Sequence, residues 1–130
     1  MTKFINTDRQ HNDDEIKAIA STGGLVGIRY MGNKTSYKLL AEEIDYIAKL
    51  VGIEHAVVSW LGHDIGHPYT GEVPGVTKNA KIPVGVEAQS MYEHWNNFIK
   101  TLQDLGYSDE QIALVLWGNY VRVWNDILME

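Results

Sequence analysis

Two short apolar runs on either side of one long helical pattern constrain the fold of this chain more than any other feature. Residues 25–30 (Leu-Val-Gly-Ile-Arg-Tyr) and 55–60 (His-Ala-Val-Val-Ser-Trp) predict strands, and residues 35–51 carry apolar side chains at helical spacing. Strand, helix and strand in this order are typical of a βαβ unit with parallel strands. Parallel strands are normally buried on both faces within a larger sheet. Because only two segments predict strands convincingly, we expect an α/β structure that is part of something larger.

Capping signals predict where two other helices begin. Asn12 with Glu15, and Ser108 with Gln111, have the spacing of capping boxes, in which two side chains bond reciprocally to backbone N–H groups. The helices that follow carry apolar residues at helical spacing, so one face of each is expected to be buried. The aromatic residues predicted to fill the core are Trp95, Phe98, Trp117 and Trp124.

Glycines predict where helices end. Gly52 is expected to end the long helix in the αL conformation. A further helix is predicted over about residues 87–105, and a last one over residues 120–128, after a break at Gly118-Asn119. The acidic residues expected to form a solvated face of the long helix are Glu42, Glu43 and Asp45.

Composition narrows the class of protein. The 130 residues suit a single domain over 1–130, and the net charge of −6, without a dense Lys/Arg run, argues against a nucleic-acid partner. The absence of cysteine removes disulfides, thiolate zinc sites and a cysteine nucleophile. No apolar run approaches about 18 residues, so no membrane span is expected. Without the long apolar core of a signal peptide, a cytoplasmic location is the expectation.

An ionisable cluster directly follows the second predicted strand. His63, Asp64 and His67 lie among glycines at the start of a long loop that contains all three prolines. The carboxyl ends of buried parallel strands are where α/β proteins usually place their chemistry. The cluster is therefore a candidate for metal binding or proton transfer. The alternative is a purely structural turn in which Asp64 bonds to loop amides.

Three segments, in order, resemble the membrane (renal) dipeptidase family of zinc metallopeptidases. They are Asn12-Asp-Asp-Glu-Ile-Lys-Ala-Ile-Ala-Ser-Thr-Gly-Gly-Leu-Val-Gly-Ile28, Ile44-Asp-Tyr-Ile-Ala-Lys-Leu-Val-Gly-Ile-Glu-His55, and Gly106-Tyr-Ser-Asp-Glu-Gln-Ile-Ala-Leu-Val-Leu-Trp-Gly-Asn-Tyr-Val-Arg-Val-Trp124. The resemblance implies the C-terminal third of a (β/α)8 TIM-type barrel, with two parallel strands and flanking helices. Residues 25–30 would be its seventh strand and residues 55–60 its eighth.

The resemblance also implies candidate site residues for dipeptide hydrolysis. Family members hold two zinc ions with ligands on the first, third, fifth and sixth strands, which precede the region matched here, so this chain alone is not expected to bind both ions. Asp64 matches the Asp that follows the eighth strand beside the metals, with His63 as a further candidate metal ligand, although Gly66 replaces the second Asp of that motif. Arg9 matches the arginine that binds the substrate carboxylate, which a guanidinium can do bidentately.

In this role Asp64 would take a proton from the attacking water and pass it to the leaving amine. Because most metal ligands are missing, we expect the isolated chain to be inactive and to associate with another copy or with an N-terminal partner chain. A second hypothesis is a non-catalytic remnant that serves as an oligomerising or binding module. A third is an HD-type metal-dependent phosphohydrolase, because His63-Asp64 also resembles the His-Asp core of that all-helical fold.

Overall fold

The computed structural model describes residues 11–29, 36–60 and 91–129. Its elements, in chain order, are α1 (Asp13–Ser21), β1 (Val26–Arg29), α2 (Tyr37–Val51), a 3₁₀ turn (Ile53–His55), β2 (Ala56–Trp60), α3 (Met91–Asp104), α4 (Asp109–Ala113), a π-helical turn (Leu114–Gly118) and α5 (Asn119–Leu128). The predicted order of strand, helix and strand is confirmed.

The two strands form a parallel pair. Val26 lies beside Ala56 and Ile28 lies beside Val58, with an irregularity before the last pair. Within the described part of the chain the sheet consists of β1 and β2 alone. The mixed α/β architecture with two parallel strands and flanking helices is therefore as the sequence predicts.

One face of this sheet packs against the helices. Neighbouring residues in register project to the same face, and alternate residues along a strand project to opposite faces. The face with the apolar side chains joins a core to which α1, α2, α3 and α4 also contribute. Its buried members are Ile16, Val26, Ile28, Leu40, Ala41, Ile44, Ile47, Ala56, Val58, Phe98, Leu102, Ile112 and Val115.

The helix starts follow from local hydrogen bonds. The Asn12 side chain accepts from the Glu15 N–H at 3.0 Å, and the Glu15 carboxylate accepts from the Asn12 N–H at 2.9 Å. Ser108 and Gln111 make the same reciprocal pair, at 3.2 and 3.0 Å. Both predicted capping boxes are confirmed, because their geometry depends only on residues three positions apart.

Gly52 ends α2 in a conformation other than the predicted αL. Its φ of 112° and ψ of 148° lie in an extended region that favours glycine. A Cβ atom at this position would overlap a carboxylate oxygen of Glu54. The chain then makes the 3₁₀ turn, so β2 begins at Ala56, one residue later than predicted.

The predicted break at Gly118-Asn119 is wrong. Both residues have helical backbone angles, and the helix runs from α4 through the π-helical turn into α5. The Asn119 N–H donates to the Leu114 carbonyl five residues earlier, so the turn accommodates one extra residue. Glycine lowers the stability of a helix without preventing it, and tertiary contacts can still favour the helical conformation.

The prediction of the core from aromatic residues is partly wrong. Phe98 is fully buried and Trp95 is partly buried against the core. Trp117 and Trp124, however, are 60 % and 66 % exposed. Glu43 is the opposite case. It was predicted to lie on a solvated face of the long helix, but it is buried on α2. Among the described residues, no helix combines the length and the hydropathy that a bilayer-spanning segment needs.

Candidate functional site

β1 and β2 end side by side. In the sequence, the predicted catalytic cluster follows shortly after the end of β2. The last residues of the two strands, Arg29 and Trp60, are partners in the register. His63 and Asp64 follow Trp60 by three and four residues. These two residues, together with Arg9 and His67, lie outside the described residues. The structure therefore defines the strand ends from which the predicted site would be built.

A different polar cluster lies at the opposite edge of the sheet, where the strands begin. Asn119, 1 % exposed at the start of α5, donates its side-chain N–H groups to the Ile53 carbonyl at 2.8 Å and the Ala56 carbonyl at 3.0 Å. Buried backbone carbonyls need such donors, because an unpaired one costs free energy. Asn119 therefore fixes α5 against the turn that leads into β2.

Arg122, one turn further along α5, bonds to both strand connections. Its guanidinium donates to the Glu54 carbonyl at 2.9 Å and to the Gly23 carbonyl at 3.4 Å. Asp126 lies 3.5 Å from the same guanidinium. The planar fork of arginine suits this bridging role, since its donors point in fixed directions.

His55 and Tyr120 complete this polar cluster. The Nδ1 atom of His55 lies 2.8 Å from the Gly24 carbonyl, which links the 3₁₀ turn to the segment before β1. The Tyr120 hydroxyl donates to the Val58 carbonyl at 3.0 Å, and burial raises the pKa of this phenol. Carbonyls two residues apart point in the same direction from a strand. The Ala56 and Val58 carbonyls therefore both point toward α5, where Asn119 and Tyr120 donate to them.

We call Asn119, Tyr120, Arg122 and His55 the strand-start cluster. All four bond to backbone carbonyls at or near the beginnings of the two strands, where structural rather than catalytic residues are found in α/β barrels. His55, predicted as the first residue of the second strand, lies instead in the 3₁₀ turn that precedes it. The role of Arg122 was missed, although it belongs to the Gly-Asn-x-x-Arg segment that carries the family resemblance.

The sheet face opposite the core carries Gly27, Arg29, Val57 and Ser59. Gly27, Arg29 and Ser59 are exposed, whereas Val57, the register partner of Gly27, is 2 % exposed. Ser59 donates to the Ile28 carbonyl at 2.8 Å. A Cβ atom on Gly27 would lie 2.8 Å from the Ser59 Cβ atom, so only glycine fits beside this serine without movement.

The Asp45 carboxylate takes part in structural hydrogen bonds. Asp45 accepts from the Tyr107 hydroxyl at 2.7 Å and from the Lys49 ammonium at 2.6 Å, which ties α2 to the turn after α3. Burial raises the pKa of Asp45, but the hydrogen bonds from Lys49 and Tyr107 outweigh it, so the pKa lies below its ordinary value. Burial, reinforced by the bond to Asp45, raises the pKa of the Tyr107 phenol.

A metal site is not formed by the residues that the structure describes. Across residues 11–29, 36–60 and 91–129, no three His, Cys, Asp or Glu side chains converge in a way that could hold a metal ion. His55 and Glu54 approach each other at 3.9 Å, but His55 is already bonded to Gly24. The described residues alone do not fit the two-zinc centre implied by the resemblance.

Comparison with known proteins identifies the family. The family model described as membrane dipeptidase (peptidase family M19) matches residues 1–129 of the chain. No curated protein and no solved structure matches it. Since the match covers the βαβ unit, the strand-start cluster and the loop that carries Asp64, the chain belongs to the membrane dipeptidase family of metallopeptidases.

Proposed function

We propose that this chain provides the last two (β/α) units of a dipeptidase barrel that hydrolyses dipeptides with the help of metal ions. The observation that carries the proposal is the family match over residues 1–129. The order of elements agrees with it, because β1, α2 and β2 form a parallel unit of the kind that such barrels repeat.

The one-sided packing of the sheet supports a place in a closed barrel. Helices cover one face of β1 and β2, whereas on the other face Gly27, Arg29 and Ser59 are exposed and Val57 is buried. In a barrel the uncovered face becomes the interior, which side chains from the other strands fill in layers. Parallel strands with one open face are unusual because such sheets are normally covered on both sides.

The proposed catalytic residues follow from the carboxyl end of β2. Asp64 would accept a proton from water and return it to the leaving amine, with His63 beside it as a metal ligand. Arg9 would bind the terminal carboxylate of the dipeptide through two parallel hydrogen bonds. Zinc, in the proposed complete site, would polarise the scissile carbonyl. Its remaining ligands would come from barrel units that precede those matched by β1 and β2.

The strand-start cluster would support this site from the opposite end of the two strands. Asn119 and Arg122 bond to carbonyls on both strand connections, so they hold the beginnings of β1 and β2 at a fixed separation. Because the strands are short and rigid, fixing their beginnings also fixes the carboxyl ends from which the catalytic loop starts.

The test compares the 130-residue chain alone with the same chain reconstituted with the first six units of a family barrel. We expect the chain alone, with added zinc, to leave a simple dipeptide intact, and the reconstituted pair to cleave it. Asp64→Asn should abolish the recovered activity, whereas Asp104→Asn, at an exposed position near the end of α3, should retain it. Rapid hydrolysis by the chain alone, or recovered activity that survives Asp64→Asn, would overturn the proposal.

The second candidate function is a non-catalytic oligomerising module. It is favoured by the large apolar surface that α5 exposes. The HD-type phosphohydrolase alternative requires a helix leading into His63-Asp64. The five residues Ala56–Trp60 form a parallel strand instead, which argues against that alternative.

A further inference from the structure

The first strand ends on a positively charged side chain. Arg29 is the last residue of β1, and its side chain is exposed on the sheet face opposite the core. In (β/α)8 barrels the residues at the carboxyl ends of the strands form the active site, whereas those at the strand beginnings serve stability. The end of β1 is therefore a place where a side chain that contacts a substrate is expected.

The neighbours of Arg29 on this face are short or buried. Gly27, two residues earlier on β1, has no side chain, and the Ser59 hydroxyl on β2 is bonded back to the Ile28 carbonyl at 2.8 Å. Val57, the remaining member of the face, is buried. Among the described residues of this face, Arg29 therefore has the longest side chain and carries the charge.

The sheet is irregular directly beside Arg29. Ile28 lies beside Val58, but Arg29 lies beside Trp60, so β2 contains one more residue than β1 over this step. Such bulges redirect side chains and are frequent next to active sites. Trp60 precedes His63 by three residues, so Arg29 lies beside the strand end from which the predicted catalytic cluster follows.

The charge of Arg29 favours carboxylate ligands. A guanidinium group binds a carboxylate through two parallel N–H···O bonds. Because the chain has a net charge of −6, its surface as a whole disfavours an anionic ligand, and a positive side chain at the site offsets this locally. Every dipeptide has one terminal carboxylate, for which Arg9 is the proposed partner. A second arginine finds a second carboxylate only in a dipeptide that contains aspartate or glutamate.

We propose that Arg29 binds the side-chain carboxylate of acidic dipeptides, so that the site prefers dipeptides containing aspartate or glutamate over their amide counterparts. The inference rests on the proposed function, because that function places a dipeptide at the carboxyl ends of β1 and β2. Arg29 contributes to specificity rather than to bond cleavage. A carboxylate offers two acceptor oxygens to the guanidinium, whereas the amide of glutamine offers one oxygen and turns its own N–H donors toward the same charge.

Hydrolysis of matched dipeptides by the reconstituted pair measures this preference. Alanyl-glutamate and alanyl-glutamine have nearly the same shape and differ in charge, and so do glutamyl-alanine and glutaminyl-alanine. We expect kcat/KM for the glutamate peptide to exceed that for its glutamine counterpart by about ten-fold or more in one of the two orders, as hydrogen bonds between charged groups allow.

Arg29→Gln should abolish this preference, and Arg29→Lys, which keeps the charge but not the two parallel donors, should retain part of it. The matched control is Lys38→Gln, which removes a positive charge from an exposed position of α2 and should keep the preference. A far-UV circular dichroism spectrum like that of the wild type shows that each variant is folded. Hydrolysis of alanyl-alanine without a preference for the glutamate peptides would overturn the proposal and leave the dipeptidase function intact. A preference that survives Arg29→Gln would overturn it as well.

A binding measurement on the 130-residue chain separates this inference from the catalytic one. If the reconstituted pair cleaves no dipeptide, the proposed function fails, and an NMR titration of the chain alone decides whether Arg29 binds acidic dipeptides. The Arg29 Nε–H resonance, identified by its loss in Arg29→Gln, should shift on addition of the glutamate peptide and much less with the glutamine peptide. Equal shifts with both peptides, or no shift with either, would contradict the proposal.

Discussion

Replacing Asn119 by alanine is the sharpest test of how the last helix is held to the sheet. The substitution removes two hydrogen bonds, to the Ile53 carbonyl at 2.8 Å and to the Ala56 carbonyl at 3.0 Å, from a side chain that is almost completely buried. The Ala56 carbonyl lies in a buried environment, so it would remain without a donor. The Ile53 carbonyl is only partly buried and can be hydrated after the substitution.

The expected loss of stability follows from these two carbonyls. A buried acceptor left unpaired costs about 1–3 kcal/mol, and a hydrogen bond exchanged for one to water costs about 1 kcal/mol. Alanine favours the helix over asparagine by about 0.6 kcal/mol, which offsets part of the loss. We therefore expect Asn119→Ala to lower the free energy of unfolding by about 2 kcal/mol. With an m-value of about 2 kcal/mol/M, the urea midpoint should fall by about 1 M.

Urea denaturation followed by far-UV circular dichroism measures this change. Asn125→Ala, at an exposed position of the same helix, is the control and should change stability by less than about 0.5 kcal/mol. Asn119→Asp keeps the side-chain shape, but the ionised carboxylate has no hydrogen to donate to either carbonyl. Burial would raise the pKa of the new carboxyl group above about 3.9, so this variant should lose further stability as pH rises from 4 to 7. A loss below about 0.5 kcal/mol for Asn119→Ala would refute the reasoning.

Three further predictions concern other contacts. Arg122→Ala should lower the free energy of unfolding by about 1–2 kcal/mol in urea, because two backbone carbonyls lose a charged donor. Gly27→Ala should cost about 1–3 kcal/mol by overpacking against Ser59, and the added change Ser59→Gly should recover part of it; additive losses would contradict the clash. Asp45→Asn should be less stable than the wild type at pH 7. Since the folded-state pKa of Asp45 is lowered, the difference should shrink as pH falls below about 4, and a pH-independent difference would exclude an electrostatic origin.

Local signals predicted the elements of this fold well. The capping boxes at Asn12 and Ser108 depend on atoms within one helical turn, so the sequence contains all the information that they need. The two strands could be predicted because β-branched runs bounded by glycine allow few other structures. Their parallel pairing then follows from the intervening helix, since antiparallel strands can be joined by much shorter connections.

The helix through Gly118 could not be predicted in this way. A glycine followed by asparagine is a common signal for the end of a helix, and taken alone it predicts a break. The helical conformation is instead stabilised by bonds from Asn119 to carbonyls more than 60 residues earlier. The π-helical turn absorbs one residue, so that Asn119 still lies on the buried side with Ile112 and Val115.

The sequence by itself determined the family, the βαβ unit and the helix starts, because motifs, periodicity and caps act between residues close together in the chain. Only the tertiary structure decided that Arg122 and Asn119 join the beginnings of the strands, that Glu43 is buried, and that Trp117 and Trp124 face outward. Which side of a helix is covered depends on where distant elements pack. Side chains of the same type therefore differ in burial, because some lie on the side of a helix that packs against the sheet and others lie on the opposite side.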